Sequence, residues 1–188
     1  MCTMKKEGYS KNEIVKIVLK TIAGLGLVAV VVMAPGIGSV LSMFNLDGSK
    51  DRKRYRRTID NLKKQKYINL YNKKGKNYLE ITKKGKQKLV QFDYEDLKIE
   101  KPRKWDGMWR LVLFDIPEKK KRVREEVRIK LEDMGFYQIQ KSAFIYPYEC
   151  RDKILFIKNY WFLYESFDYL LVKDLDTDKD LKKHFKLR

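Results

Sequence analysis

The sequence has few of the side chains that build most zinc and nucleophilic sites. It contains one histidine, His184, and two cysteines, Cys2 and Cys150, which lie far apart in the chain. These numbers argue against a histidine-based catalytic triad and against a zinc site with closely spaced ligands. They also predict no disulfide framework, which fits a reducing cytoplasm, and no resident cofactor is expected.

Acidic residues are scarce in the first half of the chain. Residues 1–104 contain 25 Lys and Arg against 10 Asp and Glu, whereas residues 105–188 contain 18 against 15. The formal net charge of +18 is therefore concentrated in the amino-terminal half. Such a concentration of positive charge predicts that the partner is a polyanion, here double-stranded DNA. The alternative is that these lysines are merely solvated.

Charge is missing altogether between Thr21 and Leu46. A run of this length is a transmembrane candidate on length alone. However, Gly and Pro interrupt it at five positions, and Pro35 would divide it into two shorter helices. We expect these to pack as protein core with a first helix near residues 11–22, whose start is indicated by a capping box of Ser10 and Glu13. Membrane contact remains the alternative.

The segment from Ser49 to Lys66 contains nine basic residues against two acidic ones. Tyr55, Ile59 and Leu62 share one face of a helix here, and basic side chains occupy the others. A narrow apolar seam with basic sides is typical of a helix that enters a DNA groove, although a solvated surface helix would look similar. The side chains that we expect to contact DNA, with Arg and Asn as candidates for base edges, are Arg52, Lys53, Arg56, Arg57, Asn61 and Lys64.

A β-hairpin is predicted next, with alternating residues 67–71 and 78–82 around the turn at 72–76. Its tip carries three further expected DNA contacts, Lys73, Lys74 and Lys76. A short helix at 83–92 completes the unit. Three helices followed by a hairpin is the winged-helix order, and the run LEITKKGKQKL resembles the corresponding segment of bacterial winged-helix regulators. This resemblance implies that the third helix reads the major groove and that the hairpin touches phosphates or the minor groove.

After a linker at 93–104, residues 105–178 show the pattern of a ferredoxin-like βαββαβ domain. The expected order begins with a strand at 110–114 and a basic helix that follows Pro117 and is stopped by Gly135. Two strands within 136–149 and an amphipathic helix with Leu155 on its apolar side come next. The last strand, at 167–175, has a continuous apolar centre and is expected to be buried by helices. The aromatic residues are expected mainly in the core and on a dimer surface. The tail at 179–188 is expected to dock through Leu181 and Phe185. The predicted fold class is therefore α+β, with a winged helix at 1–92 followed by this domain.

The runs WDGMWRLVLFDIPE and GFYQIQKSAFIYPYEC resemble the middle domain of the phenylacetate-operon repressor family, PaaX, over roughly Trp105 to Asp176. That domain is itself similar to the small endonuclease of the CRISPR spacer-acquisition complex. In that endonuclease family an Asp at the end of the first strand is a metal ligand, one from each subunit of a dimer, and the matching position here is Asp115. We expect this chain to lack the long carboxy-terminal domain of the repressor family, which puts ligand-controlled induction in doubt.

The sequence favours a cytoplasmic DNA-binding transcriptional repressor over an enzyme. In this hypothesis the winged helix contacts DNA and the ferredoxin-like domain pairs two chains, which sets the spacing of half-sites. The alternative is a CRISPR-associated endonuclease in which Asp115 binds Mg²⁺ or Mn²⁺ as the catalytic ligand. Asp115 would otherwise cap the following helix. A third hypothesis, a membrane-tethered adaptor, is supported only by the uncharged run from Thr21 to Leu46.

Overall fold

The computed structural model describes residues 9–24, 30–32, 44, 49–74 and 76–187. The chain divides into two compact units, residues 1–93 and residues 94–188. Each unit has its own hydrophobic core and its own antiparallel sheet.

The first unit combines helices with a three-stranded sheet. Its elements in chain order are α1 (Lys11–Gly24), β1 (Val30–Val32), α2 (Ser49–Lys64), β2 (Ile68–Lys73), β3 (Lys76–Ile81) and α3 (Lys83–Glu95). The strand order is β1-β3-β2, so the hairpin strand β3 lies in the centre and pairs with both neighbours.

Helix α1 begins as the sequence predicts. The Ser10 N–H donates to a carboxylate oxygen of Glu13 at 2.6 Å, and the Glu13 N–H donates to the Ser10 hydroxyl oxygen at 3.2 Å. This reciprocal pair confirms the predicted capping box. The helix buries Ile14, Val18 and Leu19 in the core of the first unit.

Strand β1 differs from the helix that we expect in the uncharged run. Val30–Val32 pair antiparallel with residues 77–79 of β3, so the helical prediction is wrong for these three residues. Three consecutive β-branched residues favour a strand, because their side chains restrict χ1 in a helix. Most of the remaining run, including Pro35, lies outside the described residues. Among the described helices none is both long and apolar enough to cross a membrane.

The second unit has the element order βαββαβ, followed by a helix. Its elements are β4 (Trp109–Phe114), a 3₁₀ turn (Glu118–Lys120), α4 (Lys121–Asp133), β5 (Tyr137–Gln140), β6 (Ala143–Tyr146), α5 (Arg151–Tyr160), β7 (Phe167–Val172) and α6 (Asp178–Phe185). All strand pairs are antiparallel, in the order β5-β6-β4-β7. This arrangement is compatible with the expected ferredoxin-like fold.

One face of this sheet packs against α4 and α5. Val112 and Phe114 of β4 meet Val127 and Leu131 of α4 and Ile157 of α5 in one core. As predicted, Gly135 ends the α4 segment with a φ of +90°, a conformation that costs glycine little.

The opposite face of the sheet is only partly covered. Trp109 and Ile145 pack there against Leu181 of α6, as expected for a docked carboxy-terminal helix. Leu113, Leu170 and Tyr137 remain 37%, 42% and 40% exposed. The expectation of a fully buried last strand is therefore wrong, because β7 is an edge strand with solvent-accessible apolar residues.

Candidate nucleic-acid interface

Helix α2 is attached to the first unit by a narrow apolar seam. Tyr55, Ile59 and Leu62 are buried in the core, with Thr58 beside them. Their spacing of four and three residues places them along one side of the helix. The rest of the helix circumference is available for other contacts.

The basic side chains of α2 lie on the exposed side. Lys53, Arg57 and Lys64 are opposite the seam on a helical projection, and Arg52 and Arg56 lie on its flank. Within the described part of the chain none of these five side chains has an ion pair. Arg54 differs, since its guanidinium lies 3.7 Å from an Asp51 carboxylate oxygen and donates to the Tyr9 carbonyl oxygen. These five side chains thus present positive charge to solvent with no acidic partner in the part of the chain that the structure describes.

The hairpin formed by β2 and β3 has a tight basic tip. Lys73 pairs with Lys76 across the two strands, and Lys74 has a φ of +52° in the connection. A positive φ is characteristic of two-residue hairpin turns. Lys73 and Lys74 are exposed, whereas the side chain of Lys76 lies outside the described residues. Tyr71 and Tyr78 stack across the strands, with ring centroids 5.5 Å apart.

The end of α2 and the start of α3 are fixed to each other by hydrogen bonds. The Tyr67 N–H donates to the Leu62 carbonyl oxygen at 2.9 Å, and Lys66 has a φ of +59°, which together close α2 with a Schellman turn. The Thr82 hydroxyl donates to the Lys66 carbonyl oxygen at 2.7 Å and accepts the Gly85 N–H at 3.0 Å. Thr82 therefore serves as the N-cap of α3.

The structure leaves most of the residues that the sequence singles out exposed to solvent. The six predicted contacts on α2 are all exposed on that helix, and two of the three hairpin lysines are exposed beside the hairpin turn. Contact with DNA stays a prediction for each of them. Sequence reasoning missed Lys66, Lys83 and Lys86, which are exposed where α2 ends and α3 begins. The signal was available in the run TKKGK, which we used for the short closing helix and for the winged-helix resemblance but not as a set of DNA contacts.

Asp115 lies at the end of β4, as predicted. Its N–H donates to the Ser166 carbonyl oxygen at 3.0 Å, and the residue is exposed. It borders a depression of about 420 Å³ whose lining also includes Glu165, Asp168 and Lys141. The alternative role of Asp115 as a helix cap is wrong, since Pro117 is the N-cap of the 3₁₀ turn and no side chain caps that turn or α4, both within the described residues.

Asp115 does not form a metal site by itself. Mg²⁺ takes oxygen ligands in octahedral geometry, and Mn²⁺ also prefers carboxylate, carbonyl and water oxygens. Within the described ranges no group of three or more histidine, cysteine, aspartate or glutamate side chains is arranged to hold such an ion. The residues of one chain that the structure describes therefore do not fit the ion, and a second copy would have to supply further ligands.

A family model described as the PaaX protein central Cas2-like domain matches residues 102–182. The match covers the second unit from just before β4 into α6, and it supports the predicted resemblance for this part of the chain. No curated protein matches the chain.

Proposed function

We propose that this protein is a PaaX-like transcriptional regulator whose first unit is a winged helix that binds double-stranded DNA. The observation that carries the proposal is the exposed row of Lys53, Arg57 and Lys64 on α2, which has no acidic partner among the described residues. The match of the second unit to a PaaX central domain supports the same class of protein.

The topology of the first unit supports a winged helix. Helix α2 precedes the hairpin directly, and β1 pairs with β3 so that the hairpin is anchored to the sheet. In this arrangement α2 enters the major groove, where Arg52, Arg56 and Asn61 are candidates for base edges. Lys73 and Lys74 contact phosphates and supply affinity that does not depend on sequence.

DNA binding is tested by fluorescence anisotropy with duplex DNA from the region upstream of the protein's own coding sequence. We expect log Kd to change linearly with log salt concentration, with a slope of roughly 0.9 per phosphate contact. Arg52→Gln combined with Arg57→Gln is expected to weaken binding by tenfold or more, on the order of 1.4 kcal/mol. Binding of the wild type that is absent, or insensitive to salt, would overturn the proposal.

We also propose that the second unit pairs two chains through its partly covered sheet face. Leu113 of β4 and Leu170 of β7 expose apolar side chains on this face, and both strands also contribute residues to the core. Asp115, Glu165 and Asp168 make the sheet acidic at one end, and Lys173 follows β7 at the other. A second copy related by a two-fold axis can place its acidic end near the first copy's basic end.

Dimerisation is tested by sedimentation equilibrium. Leu113→Glu combined with Leu170→Glu is expected to give a monomer that binds a two-half-site duplex more weakly than the wild type does. Leu155→Glu is the matched control, since Leu155 is an exposed leucine on the other side of the sheet, on α5. A wild-type monomer at concentrations well above those needed for DNA binding would exclude this pairing.

A second candidate function is a metal-dependent endonuclease, which the exposed position of Asp115 beside the acidic depression favours. This candidate requires a different dimer, in which the acidic ends of two chains meet, because the described residues of one chain do not gather enough ligands. Duplex cleavage in Mg²⁺ or Mn²⁺ that disappears in Asp115→Ala would establish it. Cleavage that survives this substitution would point to a contaminant or to another site.

A further inference from the structure

Six lysines lie around the place where the end of α2 is hydrogen-bonded to the start of α3. We call this surface the lysine junction; its members are Lys63, Lys64, Lys66, Lys83, Lys84 and Lys86. All six are exposed, and within the described residues none has an ion pair with a carboxylate. Only Lys64 belongs to the contacts assigned to DNA above, so the surface extends beyond them.

The junction is held in place by its own backbone contacts. The Lys84 ammonium donates to the Gln65 carbonyl oxygen at 2.9 Å and lies 4.7 Å from the centroid of the Tyr67 ring. Thr82 joins the same turn through its hydrogen bond to the Lys66 carbonyl oxygen. The end of α2 and the start of α3 are therefore fixed as neighbours, with Lys84 as an anchor. Among the described residues Lys66, Lys83 and Lys86 have no acidic partner.

This arrangement is unfavourable for the stability of the unit alone. The first turn of α3 contains no acidic residue and three lysines, although a helix amino terminus favours negative charge. Lys66 has a left-handed backbone, which glycine adopts at lower cost. Two local preferences are thus broken within one surface, as is common where a sequence serves binding rather than folding. An anionic partner would offset the repulsion among these side chains.

We infer that the lysine junction is an additional phosphate-binding surface, which contacts the sugar–phosphate backbone of duplex DNA next to the segment reached by α2. This inference rests on the proposed DNA binding. The junction is continuous with the cationic side of α2 through Lys64 and Gln65. Lysine ammonium groups contact phosphates as point charges, so the junction adds affinity and fixes position without reading sequence.

The test compares two variants that each remove three positive charges. The junction variant combines Lys66→Gln, Lys83→Gln and Lys86→Gln, and leaves the anchor Lys84 intact. The control combines Lys119→Gln, Lys120→Gln and Lys121→Gln, three exposed lysines of the second unit. Binding to a cognate and to an unrelated duplex is measured by anisotropy across a salt series, and thermal unfolding establishes that both variants are folded.

We expect the junction variant to lose on the order of tenfold or more in affinity for both duplexes, and its salt slope to fall by about 2.7. The ratio of cognate to unrelated affinity stays the same, and the control keeps the wild-type slope. A junction variant with wild-type affinity and wild-type salt slope would overturn this inference but not the proposed DNA binding. An equal loss in both variants would also overturn it, since that loss reports only net charge. A wild type that binds no duplex would instead overturn the proposed function.

Discussion

Arg110 holds both carboxylate oxygens of Asp106, with Nη1 donating to Oδ1 at 2.6 Å and Nη2 donating to Oδ2 at 2.5 Å. The Arg110 side chain is only 5% exposed, and it also donates to the Pro147 carbonyl oxygen and to Glu149. One buried guanidinium therefore joins the start of β4 to the loop after β6. The hydrogen bond with Asp106 is the main reason that the pKa of Arg110 is raised.

The first prediction concerns acid stability. The hydrogen bond from Arg110 lowers the pKa of the Asp106 carboxyl below its usual value of 3.8. A lowered pKa stabilises the fold above the unfolded value, and the contribution is lost as pH falls through the folded value. Asp106→Asn should therefore lower the free energy of unfolding by about 1–2 kcal/mol at neutral pH, a figure reduced for the half-exposed carboxylate.

Urea unfolding of wild type and Asp106→Asn across a pH series measures this effect. The difference between them should shrink as pH falls from the usual value of 3.8 through the lowered pKa of Asp106, where the carboxylate of the folded wild type becomes protonated. Asp176→Asn, at an exposed carboxylate for which the described residues show no partner, serves as the control. If the difference in free energy of unfolding did not depend on pH, the stabilisation could not come from the ionised Asp106 carboxylate.

The second prediction concerns Gly85, where the backbone approaches closely. A Cβ at this position would lie 2.1 Å from the Tyr67 carbonyl oxygen and 2.7 Å from Cγ1 of Ile81. Gly85→Ala should therefore displace α3 from the hairpin and destabilise the first unit by about 1–3 kcal/mol. Gly24→Ala is the matched control, because nothing lies within 4 Å of its added Cβ. Thermal unfolding should show a loss of stability for Gly85→Ala and none for Gly24→Ala.

The third prediction concerns Phe162, which follows the end of α5 with a φ of +53° and is 73% exposed. Glycine adopts this backbone more easily, and the exposed ring offers little burial to offset the strain. Phe162→Gly should raise the free energy of unfolding by about 0.5–1 kcal/mol. Asn159→Gly, inside the same helix, should lower it by a similar amount. Destabilisation by Phe162→Gly would mean that the ring makes contacts that outweigh the strain.

The fourth prediction concerns Cys150, whose side chain is fully buried. Burial raises the pKa of its thiol to about 12, so almost no thiolate exists at pH 8. In a Cys2→Ser background the native protein should therefore not react with a thiol-specific reagent such as DTNB, and one equivalent should react after denaturation. Fast reaction under native conditions would show that this part of the core opens readily.

The second unit was the easier part to predict, because its sequence patterns agree with its packing. Val127 and Leu131 recur at helical spacing, and both are buried under the sheet. Phe144 and Tyr146 belong to a strand-forming run and are likewise buried. Leu155 was assigned to the apolar side of α5 but is exposed, since periodicity identifies an apolar side of a helix but not how much of it a neighbour covers.

The sequence was enough to predict which residues of α2 are exposed in the candidate interface. It was not enough to predict how far the basic surface extends beyond α2. The apolar seam of Tyr55, Ile59 and Leu62 indicates which side of α2 is buried, and the exposed contacts follow by elimination. Lys66 and Lys83 were missed because their proximity depends on the turn between α2 and β2 and on the Thr82 cap, which are tertiary features. Strand β1 was missed because its partner lies more than forty residues later in the chain.

The position of β4 between β6 and β7 affects the order in which the second unit can fold during synthesis. Trp109 pairs with Val172, and Phe114 pairs with Phe167, so one edge of β4 has no partner until the ribosome has released the last strand. Until then the nascent chain exposes an unpaired apolar strand, which invites association with other chains. Slow translation or early termination before β7 should therefore yield aggregation-prone fragments rather than a smaller folded domain.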